Sequence, residues 1–150
     1  MKEQSTVTNR EPKRKCWLVD VDGTLALKGD RSPYDMTRVL EDEPNQPVIT
    51  VVRALANLPE APAIVIVSGR DEAARADTEE WLEKHGVPHS ALYLRSPKDF
   101  RPDQVIKREI LNHLRDHGCE VEGVIDDRDK VVTMWRDEGL TCLQAAPGNF

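Results

Sequence analysis

The sequence has no hydrophobic run near the ~20 residues that cross a membrane, and no hydrophobic signal core at its N-terminus. Its three cysteines, Cys16, Cys119 and Cys142, are widely spaced and form no C-x-x-C pair. An odd number of such cysteines argues against a disulfide framework and against a zinc site. Together these absences predict a soluble cytoplasmic protein with reduced thiols and no membrane association.

Positive charge is also scarce, because 21 Lys and Arg face 27 Asp and Glu, which gives a net charge of −6. This charge argues against a long groove that tracks a nucleic acid, although a few arginines in one pocket can still bind a chain end. The sequence also has no phosphate-binding loop of the form G-x-x-x-x-G-K-[ST]. We therefore expect no kinase activity from this chain.

The length of 150 residues is typical of one domain with a sizeable core. Residues 1–15 are polar and aperiodic, which predicts a mobile tail, and residues 16–150 then form the single domain. No internal repeat or low-complexity segment is present.

Strand-like and helix-like segments alternate along this domain. After the first apolar strand at Cys16, strands are predicted at 63–67, 91–94, 121–125 and 140–143. The helices between them are predicted at 47–58, 77–86, 102–117 and 131–139. The alternation predicts an α/β, three-layer Rossmann-like fold whose mainly parallel sheet has about five strands. Short connections after Pro44 leave no room for a large cap domain.

The first strand ends in two carboxylates, Asp20 and Asp22, followed by Gly23 and Thr24. Residues two apart in a strand point the same way, so both carboxylates leave the strand on one side. Asp-Gly also favours a two-residue hairpin turn, and the spacing of the two aspartates is one that a calcium-binding loop would also show. The calcium pattern fails at Thr24 and Leu25, and a central strand of a parallel sheet should not turn back as a hairpin.

Other polar residues follow other predicted strands: Ser68, Gly69 and Arg70 follow one, and Asp126 and Asp127 follow another. In open α/β sheets the carboxyl ends of the strands meet at the ligand-binding edge. Four carboxylates at that edge would repel one another strongly unless a cation were present. Oxygen ligands without His or Cys suit Mg²⁺, which shares its coordination with phosphate.

Four motifs, in order, resemble those of the haloacid-dehalogenase superfamily of phosphohydrolases: Asp20-Val21-Asp22-Gly23-Thr24, Ser68, Lys107 and Asp126-Asp127. The resemblance implies that Asp20 is the nucleophile and that Asp22 is first the general acid and then the base. It also implies that Mg²⁺ is held by Asp20, the Asp22 carbonyl and the Asp126-Asp127 pair, while Ser68 and Lys107 hold the phosphate. This chemistry requires Asp20 to be ionised and Asp22 to be protonated at the start.

Further segments resemble the 3′-phosphatase domain of bacteriophage polynucleotide kinase/phosphatase enzymes; they lie at 29–35, 67–70, 125–128, 132–136 and 146–150. The resemblance implies removal of a 3′-phosphate from DNA or RNA ends in the cytoplasm of a bacterial or phage-infected cell. The 2′,3′-cyclic phosphate is an open second substrate. Substrate contacts are implied for Thr24, Arg31, Gly69 and Arg70, with Asp103 near Lys107.

The resemblance also bears on partners, because those enzymes carry a 5′-kinase domain. A separate 5′-kinase or ligase would then complete the repair of an end, and a homodimer is a further open alternative. Tyr34 is expected either to stack on a terminal base or to pack under its loop.

Two other functions stay open on sequence alone. A nucleotidase or small-molecule phosphatase of the same superfamily would suit the acidic net charge. A non-catalytic module that binds nucleic-acid ends is the alternative from another class, but such a module would be expected to have lost the paired aspartates.

Overall fold

The computed structural model describes residues 13–150. Its central sheet has five strands: β1 (Arg14–Val19), β4 (Ala63–Asp71), β5 (Ala91–Arg95), β6 (Cys119–Asp126) and β7 (Cys142–Gln144). All of them pair in parallel, in the order β5-β4-β1-β6-β7. The predicted mainly parallel sheet is therefore confirmed, and β1, which leads to Asp20, lies at its centre.

Four helices cover the two faces of the sheet, so the sheet is the middle of three layers. They are α1 (Gln46–Ala56), α2 (Arg75–Lys84), α3 (Asp103–Asp116) and α4 (Asp129–Asp137), and short 3₁₀ turns lie at Met36–Glu41 and Glu72–Ala74. In the part of the chain from 13 to 150, no helix is both long and apolar enough to span a membrane.

The hydrophobic core is split by the sheet into two clusters. Side chains of α1 and α2, such as Ile49 and Trp81, pack with Val19 on one face. Side chains of α3 and α4, such as Leu111 and Trp135, belong to the cluster on the other face. Because each central strand is buried on both faces, its sequence is apolar without alternation, as parallel sheets require.

Several predicted boundaries shift in the structure. β1 begins at Arg14 rather than at Cys16, and the predicted tail at 1–12 lies outside the described residues. β4 continues through Ser68 and Arg70 to Asp71 instead of ending at Val67, because its last residue pairs with the end of β5. The helix predicted at 77–86 begins earlier, because Asp77 lies inside α2, and Asp71 caps the 3₁₀ turn that precedes this helix.

The segment between β1 and α1 contains two short strands that no prediction from the sequence included. β2 (Ala26–Leu27) and β3 (Glu43–Pro44) pair antiparallel and bring the intervening residues back over the carboxyl end of the sheet. The chain thus makes no hairpin between β1 and the next strand of the main sheet. This segment delivers Arg31 to the edge where Asp20 lies.

Candidate active site

Asp20 follows β1 directly and is buried. Its backbone N–H donates to the carbonyl of Ile125 at 3.0 Å, which ties it to the neighbouring strand β6. Its carboxylate accepts two hydrogen bonds, from the Thr24 hydroxyl at 2.9 Å and from the Lys107 ammonium at 2.8 Å. Both donors hold the carboxylate in one orientation, as an aligned nucleophile requires.

Lys107 is a buried cation on α3 that joins two strand ends. Its Nζ lies 2.8 Å from Asp20 and 2.9 Å from Asp126, so it bridges the residues that follow β1 and end β6. Burial disfavours its charge, but the carboxylates of Asp126 and Asp20 raise the pKa of Lys107 above its ordinary value. It stays charged and balances one of the clustered negative charges.

Asp20, Asp126 and Asp127 form the cluster that fits a cation, with candidate ligand oxygens all within 4.8 Å of one another. Both oxygens of Asp126 are already used: one accepts from Lys107 and from Trp135 Nε1 at 3.1 Å, the other from the Asp127 N–H at 2.8 Å. The carboxylate of Asp127 lies against Gly23, where a Cβ would come within 2.0 Å of it. Three buried carboxylates against one lysine suit a hard divalent cation, and Asp127 is better placed than Asp126 to bind it directly.

Asp22 lies at the mouth of the site, and 43% of its side chain is exposed. Arg70 binds it in a bidentate manner, with Nε 2.9 Å and Nη2 2.7 Å from its two oxygens. Arg31 adds a third hydrogen bond at 3.1 Å. The two arginines that the resemblance assigned to the substrate phosphate therefore contact the general-acid candidate in this structure.

Asp42 is a member of the site that the sequence did not reveal. It is 3% exposed and accepts from Arg31 at 2.7 and 2.9 Å and from Arg70 at 3.1 Å. Its backbone carbonyl accepts from Trp81 Nε1 at 2.9 Å, which fixes it to α2. Nothing in its local sequence distinguishes Asp42 from the exposed acids of the same segment, because its burial depends on how that segment folds over the sheet.

The electrostatics of the chain alone reverse the predicted protonation pattern. Burial raises the pKa of Asp20 well above its ordinary value, and the charges of Asp126 and Asp127 add to the rise. Burial and Asp126 also raise the pKa of Asp127. Burial alone would raise the pKa of Asp22 as well, but the hydrogen bonds and charge of Arg70, with the charge of Arg31, hold it below its ordinary value. Asp22 is thus ionised where a protonated acid was expected.

The remaining predicted site residues lie at the same edge. Ser68 is fully buried and its hydroxyl accepts from the Arg70 N–H at 3.1 Å. A Cβ at Gly69 would come within 2.6 Å of the Asp103 carboxylate, so this glycine permits the close approach of α3. Tyr34 is 92% exposed, which excludes packing under its loop.

Asp103, in the first turn of α3, accepts a hydrogen bond from a different arginine on each of its two carboxylate oxygens. Arg95 from the end of β5 donates to one oxygen, and Arg128 donates to the other at 3.0 Å. Arg95 also donates to the Gly69 carbonyl at 3.0 Å, so these charges border the site. The motifs assign no role to either arginine, although Arg128 lies in the segment 125–128 that carries the resemblance.

A parallel α/β sheet with an aligned aspartate after its central strand, a bridging lysine and an aspartate pair after the next strand defines a haloacid-dehalogenase-type phosphatase domain. Residues 14–150 match the family model described as "Polynucleotide kinase PNKP phosphatase domain". The chain belongs to this family.

A viral relative and two solved structures are similar to the chain. The relative, "Putative bifunctional polynucleotide kinase/RNA ligase" of Autographa californica nuclear polyhedrosis virus, is 39% identical over 122 residues, which are 80% of this chain and 17% of that protein. "Structure of Pnkp1/Rnl/Hen1 complex" and "Structure of the Pnkp1/Rnl/Hen1 RNA repair complex" each show 34% identity and a TM-score of 0.87. They cover 92% of this chain but 47% and 44% of their own chains. The chain thus spans less than half the length of these relatives.

Proposed function

We propose that the chain is a Mg²⁺-dependent polynucleotide 3′-phosphatase that acts through an aspartyl-phosphate on Asp20. The observation that carries this proposal is the placement of Asp20: buried, aligned by Thr24 and Lys107, and beside the oxygens of Asp127. Membership of the phosphatase-domain family supports the same reaction.

The first step is an in-line attack of the Asp20 carboxylate on phosphorus, which breaks the bond to the 3′ oxygen. Lys107 donates to one oxygen of the Asp20 carboxylate and neutralises charge there. Bound Mg²⁺ would supply further positive charge to the phosphoryl oxygens and favour the ionised form of Asp20. Asp20 and Asp127 would hold it.

Asp22 handles the protons of both steps. Because Arg70 and Arg31 keep it ionised in the free protein, it must gain a proton when the substrate binds. Phosphate oxygens attract the same arginines and so weaken their hold on Asp22, which raises its pKa. Asp22 then protonates the leaving 3′ oxygen, and it later takes a proton from the water that hydrolyses the aspartyl-phosphate.

The substrate we propose is the 3′ end of RNA, because the viral relative is described as an RNA ligase and the similar structures include an RNA repair complex. The exposed Tyr34 ring could stack on the terminal base. A 5′-kinase and a ligase would complete the repair, from elsewhere in the same protein or from separate chains.

The test is hydrolysis of a 3′-phosphorylated RNA oligonucleotide, with DNA and 2′,3′-cyclic-phosphate versions in parallel. We expect release of phosphate that stops with EDTA and returns with Mg²⁺. Nucleoside monophosphates are the comparison substrates.

Equal or faster turnover of the monophosphates would favour a small-molecule phosphatase instead. Binding of the oligonucleotide without hydrolysis would favour a non-catalytic end-binding module. Activity that persists in EDTA would contradict the proposed metal dependence.

A further inference from the structure

The three residues Arg95, Asp103 and Arg128 form an arginine bracket beside the metal cluster. Asp103 accepts from both arginines, and its carboxylate packs against Gly69 at the end of β4. The bracket carries a net charge of +1, because two guanidinium groups share one carboxylate. It spans the ends of β4, β5 and β6, so any polymer leaving the active site on this side passes it.

Arg128 is the member of the bracket that is available to a ligand. It directly follows Asp127, and 34% of its side chain is exposed. The cations on the other side of the site, Arg31, Arg70 and Lys107, are buried between carboxylates. One nitrogen, Nη1, donates to Asp103 at 3.0 Å. Its guanidinium also lies over the Phe150 ring, 4.8 Å from the centroid. The carboxylate and the ring fix the guanidinium plane and leave donors directed away from Asp103.

We propose that Arg128 binds the phosphodiester next to the terminal 3′-phosphate and thereby gives the enzyme its preference for polymer ends over mononucleotides. This inference rests on the proposed phosphatase function. A guanidinium held in one plane beside the metal cluster is suited to a phosphate oxygen pair. The chain has a net charge of −6, so a local cation at the mouth of the site is needed to attract a second phosphate.

A mononucleotide has no second phosphate, so we expect Arg128 to affect the choice of substrate rather than the rate of the chemical step. Removing Arg128 should therefore affect a 3′-phosphorylated oligonucleotide much more than a small aryl phosphate. A charge-assisted hydrogen bond lost from the bound state corresponds to a fall of about tenfold or more in kcat/KM.

The experiment pairs an enzyme variant with a matched substrate change. Wild type and Arg128→Ala are assayed on two oligonucleotides that carry a 3′-phosphate and a 2′-O-methyl sugar at the last linkage. One has an ordinary phosphodiester at that linkage, and the other has an uncharged methylphosphonate. Relative to wild type on the ordinary substrate, kcat/KM should fall about tenfold when the methylphosphonate is used, and about as much when Arg128→Ala is used. The variant on the methylphosphonate should show no larger fall than either change alone.

Losses that multiply would overturn the inference, because they would place Arg128 and the phosphodiester in separate interactions. An undiminished wild-type rate on the methylphosphonate would overturn it without any variant, so a folding defect in Arg128→Ala does not block the test. Arg115→Ala is the matched control: Arg115 is 38% exposed and also paired with an acid, Glu138, but it lies near the far end of α3.

The salt dependence gives a second readout. The slope of log kcat/KM against log salt concentration should become less negative by about 0.7 in Arg128→Ala, the value for one phosphate contact on a single strand. An unchanged slope would count against the inference. If wild type hydrolyses neither oligonucleotide, the proposed function itself fails, and this outcome is distinct from both results above.

Discussion

Asp42 is a buried carboxylate that holds the two arginines of the site. It faces two guanidinium groups, and both of them also face Asp22. Arg31 and Arg70 therefore sit between two acids, one buried and one at the mouth of the site. This pairing lets two arginines lie side by side, and it leaves Asp22 as the acid of the group that meets solvent and substrate.

We predict that Asp42→Asn slows the hydrolysis of alkyl phosphates more than that of aryl phosphates. The amide removes the negative charge that partly neutralises the two arginines, so both interact more strongly with Asp22 and its protonation becomes harder. An alkyl leaving group needs the proton from Asp22, whereas a nitrophenolate leaves without it. The measurement is kcat for both substrates.

Asp30→Asn is the control, because Asp30 is an exposed acid of the same segment. Equal loss on both leaving groups would show that Asp42 acts on Asp20 or on general stability. Some loss of stability is expected in either case, since a buried ion pair that loses one partner costs about 3–5 kcal/mol.

The nucleophile gives a second prediction at this scale. Asp20→Asn should lower kcat by at least about 10⁴-fold, because an amide does not attack phosphorus. The melting temperature should not fall, because burial and the charges of Asp126 and Asp127 disfavour the ionised form of Asp20, whereas the amide carries no charge. Asp137→Asn, an exposed change on α4, should leave both quantities unchanged. Substantial residual activity in Asp20→Asn would refute the assignment of the nucleophile.

The turn after β1 couples backbone conformation to the metal cluster. Gly23 has a φ of +82°, a region that side chains rarely adopt, and its Cα faces the Asp127 carboxylate. A Cβ at this position would clash with Asp127, so the turn after β1 can pack against the end of β6 only because residue 23 has no side chain. Glycine is required here for two separate reasons.

Substitution at two glycines can separate those reasons. Gly118→Ala, at a φ of +87° with open space around it, should cost only the backbone strain of about 1–2 kcal/mol. Gly23→Ala should cost more, and it should also weaken Mg²⁺ binding because the new methyl group displaces Asp127. Calorimetry of Mg²⁺ binding and thermal unfolding of both variants would measure this. Equal Mg²⁺ affinity in the two variants would contradict the contact.

At the level of elements, local sequence was enough to place the strands that lead to Asp20, Ser68 and Asp126, although β4 continues past Ser68 to Asp71. Apolar runs that end in polar residues mark buried parallel strands, and their carboxyl ends must meet. Hydrophobic periodicity could not reveal Asp42, because the segment around it has no regular alternation of apolar and polar residues that would show which side chains are buried. Nor could it reveal that Trp135 donates to Asp126 as well as filling the core. Both facts depend on tertiary packing.

At the scale of the whole molecule, three buried carboxylates meet at one edge of the sheet. Asp20, Asp126 and Asp127 lie together, buried at the edge of the sheet, and Lys107 forms ion pairs with two of them, Asp20 and Asp126. Without a cation, the folded chain therefore disfavours the ionised forms of Asp20 and Asp127, whose pKa values are raised. The stability of the protein should depend on pH in a way that a bound cation changes.

We predict that the rise in melting temperature produced by Mg²⁺ grows as the pH increases from about 4 toward neutrality. Asp20 and Asp127 have raised pKa values in the folded chain, whereas unfolded carboxyl groups titrate near about 3.9. Their protonation stabilises the fold fully below that value, and this contribution is lost as the pH rises toward the folded pKa values. A cation binds the ionised carboxylates, so it restores stability where protons no longer do.

The measurement is thermal unfolding at a series of pH values, each in EDTA and in saturating Mg²⁺. The difference between the two conditions cancels the titration of acids elsewhere in the chain. Asp127→Asn should reduce the Mg²⁺-dependent rise at every pH, because it removes a ligand and one of the two perturbed groups. A rise that is constant or that shrinks with increasing pH would show that the cation does not bind at this cluster.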